Sequence, residues 1–389
     1  MMKYLILLLV SLPCFSQVLF EGVIKDAATK EVLQGASIYV PNSTRGTYSD
    51  FEGKFSLEIP ITTKEIVISF VGYTTIKTNI DLSDGKNLNK TIYLREIKNE
   101  LNEVVFIKQK QDKNWERMFQ VFKAHFIGNS EIAREAEILN PEDLILNEER
   151  LTGKYKLTAN ANKPLQIKNK ITGYIISYEL IQFNHIVIGH NQIYTFYLGY
   201  PFFKDIIKEE KLNQKKIEKK RLEAYLGSSM HFIRALYNDK LQEEGFNIRE
   251  LIKSRNPEYP SDIEMEKILA EVKLTNDYSL IRKLPEKEIN KLGTTLLPIS
   301  KFTLLENEKK FIKFDNYLNV TYTKAAPDEK YLIFSTKGES AFQVSQLKNE
   351  DEAVEYFADG NYYNPANLFF FGYMGWKKVG DMLPFDYNP

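Results

Sequence analysis

Cysteine is nearly absent from this chain of 389 residues, which contains only Cys14. A single cysteine can form neither an intramolecular disulfide nor a Cys-x-x-Cys redox pair, and it cannot build a cysteine-based zinc site. An excess of charge of one sign is missing too, because 52 lysines and arginines balance 52 aspartates and glutamates. Nucleic-acid-binding proteins normally carry a basic excess, so this balance argues against that class.

Long apolar runs are also missing, apart from one at the N-terminus. Residues 1–16 contain a single charge, Lys3, followed by an apolar run at 4–10 and a helix-ending Pro13. Such a run is typical of a secretory signal peptide and is too short to span a bilayer. Lipidation of Cys14 is an alternative that we do not expect, because Pro13 stands where a small residue is needed. We therefore predict an exported protein, periplasmic or outer-membrane associated, with no cysteine and no transmembrane segment after cleavage.

Residues 17–95 show short apolar segments separated by Gly, Asp, Asn and Pro at intervals of about ten residues, which is typical of a small antiparallel sandwich. Phe55, Leu57 and Ile59 alternate with polar residues and predict a strand with one buried face. The apolar run at 66–71 is nearly continuous, as in a strand buried on both faces. We predict an all-β Greek-key sandwich over this region.

The same region resembles a known family in four ordered phrases, at residues 22–26, 33–40, 46–55 and 68–73. These phrases are similar to those of the carboxypeptidase D regulatory-like domain. The resemblance implies a prealbumin-like sandwich of about seven strands. This module accompanies peptidases, surface proteins and TonB-dependent receptors, so the resemblance implies a fold and leaves the activity open.

A zinc carboxypeptidase needs a His-x-x-Glu pair and a distant histidine, because the metal takes three protein ligands and keeps one position for water. The residues three places after the four histidines are Gly128, Ile188, Ile193 and Arg234. None of them is acidic, and no His-Glu-x-x-His sequence occurs. We therefore predict no catalytic residues of this type, no metal ligands and no cofactor-binding residues.

Two of the histidines, His185 and His190, are close in sequence. Their spacing of five places them on opposite faces of a regular strand, so joint metal binding would require a bulge at Gly189. His125 has no histidine close to it in sequence. We expect structural or surface roles for these residues.

The remaining histidine, His231, lies in a predicted helix over residues 215–244. At 100° per residue it falls opposite Leu222 of the apolar stripe, so we expect it to face solvent or a neighbouring domain. Ser228 lies in the middle of the same predicted helix. A nucleophile elbow requires a strand-to-helix turn, and a helix-surface serine is therefore the interpretation we favour.

Residues 96–111 are predicted to be a linker, and residues 112–389 an α+β domain of unknown function. In residues 114–126, 157–159, 197–203 and 221–246 the larger domain resembles uncharacterised partners of this sandwich in exported bacterial envelope proteins. The resemblance implies an architecture and no activity. The expected elements are a helix at 114–126 with Trp115 in the core, antiparallel strands between 155 and 200, the helix at 215–244, and strands within 312–334 and 340–344. The aromatic tail from Tyr362 is expected in the core or at a domain interface, and an exposed ligand platform is the alternative.

Two functional hypotheses follow from these observations. The first is an exported, non-catalytic protein of the cell envelope that recognises a protein or glycan partner. The second is an envelope hydrolase with a carboxylate site between the two predicted domains. A site of that kind needs two acids about 5–9.5 Å apart in a deep pocket.

Overall fold

The computed structural model describes residues 17–82, 85–97, 109–151, 153–189, 192–335, 340–363 and 365–389. The predicted signal peptide with Cys14, most of the predicted linker and His190 lie outside the described residues. In the part that is described, no helix has the length and apolarity to cross a membrane. The chain divides into two compact units, which are Met1–Ile127 with Glu135–Glu218 and Asp386–Asn388, and Gly128–Arg134 with Lys219–Phe385 and Pro389.

The N-terminal part of the first unit is a sandwich, as predicted. Its strands are β1 (Gln17–Asp26), β2 (Ser37–Tyr39), β3 (Gly46–Tyr48), β4 (Lys54–Pro60), β5 (Glu65–Ser69), β6 (Ile76–Asn79) and β7 (Leu88–Leu94). They form two sheets in the orders β4-β1-β7 and β3-β2-β5-β6, and all pairs are antiparallel except β1 with β7. The predicted alternation is confirmed, because Phe55, Leu57 and Ile59 all lie in the core between the sheets.

Strand β5 is buried on both faces, which explains its continuous apolar run. Ile66 and Ile68 belong to the core between the two sheets, whereas Val67 and Ser69 point to the opposite side and are also buried. Val67 is paired with Tyr39 of β2, so both side chains lie on this outer face. A second sheet of the same unit covers that face.

This covering sheet lies outside the sandwich and is called the second sheet below. It consists of β8 (Ala136–Ile138), β9 (Leu144–Leu151), β10 (Lys154–Ala161), β11 (Leu165–Asn169), β12 (Tyr174–Ile188) and β13 (Gln192–Asp205). The long β12 pairs with β13 along one side, and with β11 and then β10 along the other. Its pairing with β13 shifts between Leu180 and Gln182, where Ile181 is the extra residue of a bulge.

One face of this sheet packs against helix α1 (Lys113–Phe126). The side chain of Asp112 caps the helix by accepting hydrogen bonds from the backbone amides of its first turn. Phe126 contacts both Tyr178, before the bulge, and Phe183, after it. Trp115 is buried, as predicted for this helix.

The second unit is built on a five-stranded antiparallel sheet. Its strands lie in the order β15 (Glu288–Leu292), β14 (Phe246–Arg255), β18 (Tyr317–Tyr322), β19 (Gln343–Asn349) and β21 (Leu368–Gly372). A smaller sheet contains β16 (Thr303–Glu306), β17 (Lys309–Ile312) and β20 (Val354–Glu355). The helices after α1 are α2 (Gln214–Tyr225), α3 (Ser229–Tyr237), α4 (Asp262–Thr275), α5 (Ser279–Arg282), α6 (Glu329–Phe334) and α7 (Tyr373–Trp376). Together these elements confirm the predicted α+β class.

Two sequence predictions in this region are wrong. The single helix expected at 215–244 is interrupted after Tyr225, because Gly227 adopts a left-handed φ of 72° and Ser228 caps a new helix, α3. The segment Tyr331 to Phe334, expected to be a strand, lies in α6. Asp328 begins that helix by accepting a hydrogen bond from the backbone amide of Lys330.

Candidate functional site

His231 is buried among residues of its own unit, so the prediction that it faces solvent or a neighbouring domain is wrong. The backbone amide of Gly227 donates to its Nδ1 at 3.1 Å, which leaves Nε2 to donate to Glu244 Oε2 at 3.2 Å. The rings of Phe246 and Tyr322 pack on the imidazole at 4.9 and 5.5 Å. The helix break explains the error. The residues of α3 do not continue the rotation of α2, so the angle between Leu222 and His231 on one helix no longer applies.

Ser228 has a structural role that the sequence did not indicate. Its side chain accepts a hydrogen bond from the backbone amide of His231 at 3.1 Å as the N-cap of α3. The expected position in the middle of a helix is therefore wrong. The imidazole nitrogens of His231 meet Gly227 and Glu244, so the serine and the histidine do not form a nucleophile–base pair.

Two histidines that are 60 residues apart in the sequence, His125 and His185, are in contact in the structure. The imidazoles of His125 on α1 and His185 on β12 stack with centroids 3.8 Å apart. His185 is only 3% exposed, and its Nδ1 lies 2.9 Å from the hydroxyl of Thr195. Across the described residues, no group of three His, Cys, Asp or Glu side chains is arranged to hold a metal ion.

Burial lowers the pKa of both His185 and His231, and the Glu244 carboxylate opposes part of this effect at His231. The unfolded chain then binds protons more readily than the folded one below about pH 6.5. We expect the free energy of unfolding to fall with decreasing pH in this range, by up to about 1.4 kcal/mol per pH unit for each histidine. Urea unfolding at a series of pH values measures the slope, and a double His185→Gln, His231→Gln variant should flatten it. An unchanged slope in that variant would contradict this assignment.

A carboxylate lies where the second sheet of the first unit covers the outer face of the sandwich. Glu179 of β12 accepts a hydrogen bond from the Ser69 hydroxyl at 3.1 Å, and Ser69 in turn lies 3.1 Å from the hydroxyl of Thr75. Burial raises the pKa of Glu179 above its ordinary value, while the hydrogen bonds from Ser69 and Thr75 counteract this. We call this group, Glu179 with Ser69 and Thr75, the junction carboxylate.

Aromatic residues surround the junction carboxylate. Tyr39 packs on Phe202 with centroids 5.2 Å apart, and its hydroxyl donates to the carbonyl of Tyr200 at 3.3 Å. Burial, followed by the charge of Glu179, raises the pKa of Tyr39. The hydrogen-bond partners of Glu179 are thus hydroxyl groups, in a setting that favours the neutral acid.

A third polar cluster lies in the C-terminal part of the second unit. Asp381 is buried and accepts hydrogen bonds from the Ser130 hydroxyl at 2.5 Å and from the Lys378 amide at 3.1 Å. Burial raises the pKa of Asp381. Lys377 donates to the carbonyl of Ala224 at 2.8 Å, at the end of α2, and burial lowers its pKa. These hydrogen bonds connect residues 377–381 to Ser130 and to the end of α2 within the second unit.

The aromatic residues of the tail serve mainly as core. Tyr373 is buried and its hydroxyl accepts a hydrogen bond from the Asp328 amide at 3.3 Å. Phe370 packs against the core of the second unit, whereas Phe371 on the neighbouring position of β21 is exposed. The expected core role is therefore confirmed for Tyr373 and Phe370.

The described residues line two cavities of note. The larger, about 510 Å³, is an open depression over residues 255–264. The smaller, about 220 Å³, lies at one end of the second sheet, where β9 ends beside β10 and β12 ends beside β13. It is lined by Arg150, Leu151, Gly153, Lys154, Tyr155, Val187 and Gly189. We call these residues, with Ile188, Ile193 and Tyr194, the hairpin end.

The hairpin end exposes apolar side chains on both faces of the sheet. Strand register places Leu151, Lys154 and Ile188 on one face. It places Tyr155 and Ile193 on the other, since each is paired with Val187. Leu151 is 65% exposed, Ile193 57% and Tyr194 55%. The sequence could not reveal this surface, because β12 and β13 join it only through long-range strand pairing.

Comparison with known proteins identifies the sandwich. Residues 20–106 match the family model described as "CarboxypepD_reg-like domain". These residues are a CarboxypepD_reg-like domain. The expectation drawn from the four phrases in this segment is thereby confirmed, and the match extends beyond the strands into residues that the structure does not describe.

A curated relative matches about a fifth of the chain. It is the TonB-dependent receptor P3 of Formosa agariphila, 28% identical over 87 residues, which are 22% of this chain and 8% of the receptor. The chain therefore matches only a small fraction of that relative's length.

Two solved structures are also similar. The C-terminal domain of the shaft pilin SpaA from Lactobacillus rhamnosus GG is 21% identical and covers 21% of this chain and 98% of its own, with a TM-score of 0.16. A putative membrane-associated protein of unknown function from Bacteroides fragilis is 10% identical and covers 92% of this chain and 95% of its own, with a TM-score of 0.17.

Proposed function

We propose that this chain is an exported, non-catalytic protein of the cell envelope, periplasmic or outer-membrane associated, that recognises a protein or glycan partner. The CarboxypepD_reg-like domain at residues 20–106 supports an accessory role, and a relative that matches 22% of the chain is a TonB-dependent receptor. The signal-like sequence of residues 1–16 supports export, by cleavage rather than by lipidation of Cys14.

The observation that carries the proposal is the covered outer face of the sandwich. A free sandwich exposes both outer faces for binding, but here β2 and β5 lie against the second sheet through Val67, Tyr39 and the junction carboxylate. Backbone hydrogen bonds strengthen this contact, from Asn42 to the Pro201 carbonyl at 2.7 Å and from Phe203 to the Ser43 carbonyl at 2.9 Å. The CarboxypepD_reg-like domain thus supports the second sheet, and partner recognition falls to other surfaces.

The experiment is affinity capture with residues 17–389 immobilised, using envelope extract and, separately, a panel of envelope glycans. We expect saturable binding of one partner, competed by the free protein. A panel of glycoside and peptide substrates is assayed with the same preparation. Turnover of any of them that is lost on substitution of Glu179 would overturn the proposal and favour the carboxylate hydrolase.

Glu179→Gln tests whether the junction carboxylate is structural. Because its pKa is raised, the ionised form destabilises the folded chain above the pKa of the unfolded state, near pH 4.3. Glutamine keeps an acceptor for Ser69 without the charge, so we expect the variant to be as stable as the parent or more stable at neutral pH. Thermal unfolding measures this. Glu179→Leu, which removes the acceptor, is the matched comparison, and a strong loss of stability in the glutamine variant would contradict the assignment.

A further inference from the structure

We propose that the hairpin end binds the headgroup region of an anionic lipid membrane. This surface is separate from the protein or glycan partner of the proposed function, and its test is independent of that partner. The argument rests on its exposed apolar side chains, on the charges beside them and on its small cavity.

The apolar side chains fit a lipid bilayer better than a rigid protein surface. Leu151 and Ile188 are exposed on one face of the sheet, and Ile193 on the other. A rigid protein surface laid on one face would leave the apolar groups of the other face in water. The headgroup region of a bilayer can surround a protruding sheet end and bury apolar groups on both sides. Tyr194, which is exposed beside them, is an aromatic residue of the kind enriched at membrane interfaces.

The charges beside the apolar groups favour an anionic surface. Arg117 and Arg150 share one carboxylate, that of Glu148, at 2.5 and 3.3 Å. Lys154 and Lys156 follow on β10, and the register sets Lys156 opposite Glu149. Lys154 is opposite Leu151, so it adds a positive charge without a carboxylate opposite it, in a chain that is neutral as a whole. Basic residues next to exposed apolar groups are attracted to anionic lipids.

The cavity of about 220 Å³ offers a position for a lipid phosphate. Arg150 and Lys154 line it, and Gly153 and Gly189 add backbone without side chains to obstruct the entrance. A guanidinium presents donors in a fork that matches phosphate oxygens. Lys154 lies on the face of Leu151 and Ile188, and Arg150 on the face of Ile193, so each side of the sheet end carries both a cation and an apolar group.

Vesicle co-sedimentation with residues 17–389 tests the proposal. Phosphatidylcholine vesicles are compared with vesicles that also contain phosphatidylglycerol, at low and high salt. We expect binding to the anionic vesicles at least about tenfold stronger than to the neutral ones, decreasing as salt rises. Equal binding to both vesicle types, or no binding at low salt, would overturn the proposal.

Variants locate the binding surface. Lys154→Glu should weaken binding at least about fivefold, and Leu151→Ser combined with Ile193→Ser should weaken it further. The matched controls are Lys267→Glu and Leu274→Ser on α4, which change exposed residues of the same kinds and should leave binding unchanged. All these positions are exposed, and thermal unfolding checks that the variants fold. If the hairpin-end variants bind vesicles normally but lose capture of an envelope protein, the surface docks a protein and the lipid assignment is wrong.

Discussion

Val67→Asp should destabilise the first unit more than most single substitutions in the chain, by about 4 kcal/mol or more. Val67 has no exposed surface, and it lies on the face of β5 that the second sheet covers. An aspartate there would be a buried charge, and Lys77, which is opposite it on β6, already forms an ion pair with Glu65. The carboxylates of Glu65 and Glu179 on the same face would repel it. The lost apolar contacts of valine add to this cost.

Chemical denaturation with intrinsic fluorescence measures the effect. Val71→Asp is the matched control, because Val71 lies two residues beyond β5 and is half exposed. It should change the free energy of unfolding by about 0.5 kcal/mol or less. Comparison with Ile68→Asp, in the core of the sandwich itself, shows whether the sandwich and the second sheet unfold together. A Val67→Asp protein with parental stability would show that the outer face of β5 is open.

Gly22→Ala should cost about 3 kcal/mol of stability, although it adds only one methyl group. Gly22 lies on β1, between β4 and β7, and is opposite Lys90 in the parallel pair. A Cβ at this position would lie 1.9 Å from the backbone oxygen of Lys90 and 2.9 Å from the ring of Phe55. No rotamer change moves a backbone oxygen, so the strands themselves would have to separate.

The control for this substitution is Gly293→Ala. Its Cβ would meet the nearest atom, the Glu250 carbonyl oxygen, at 3.4 Å, which is an ordinary contact. Alanine there reduces the freedom of the unfolded chain, so we expect a neutral effect or a gain of a few tenths of a kcal/mol. Thermal unfolding of both variants separates the steric cost at Gly22 from the general effect of replacing glycine. Equal stabilities would contradict the close approach of β1 and β7.

The sandwich could be predicted from the sequence because its signals are local. Alternation at Phe55, Leu57 and Ile59, and the run in β5, reflect burial within a few residues of chain. The parallel pairing of β1 with β7 could not be predicted, since it joins residues about 70 positions apart and leaves no periodic signal. What covers the second face of β5 was likewise invisible, because Phe202 and Glu179 come from a distant sheet.

The candidate sites were less predictable than the fold. The helix phase of His231 was inferred from a continuous helix, and a single glycine with positive φ was enough to change it. His125 and His185 meet only because α1 packs on β12. At the hairpin end, Arg150 and Lys154 are neighbours in sequence, but Val187 and Gly189 reach the cavity through strand pairing. Sites formed by long-range contacts leave little trace in a single sequence.

The bulge at Ile181 changes which residues of β12 face helix α1. Up to Leu180 the even residues face helix α1, as Tyr178 does, and from Phe183 onward the odd residues take that side. Glu179 and His185 are both odd-numbered, yet one meets the sandwich and the other meets α1. The alternation of side chains along β12 is therefore shifted by one residue at the bulge. Deleting Ile181 would remove the bulge and leave a regular strand, because Leu180 and Gln182 already pair with the adjacent residues Gly199 and Leu198. His185 would then keep its pairing with Thr195 and its side of the sheet, so we expect the deletion to change the twist of β12 rather than the facing of its residues.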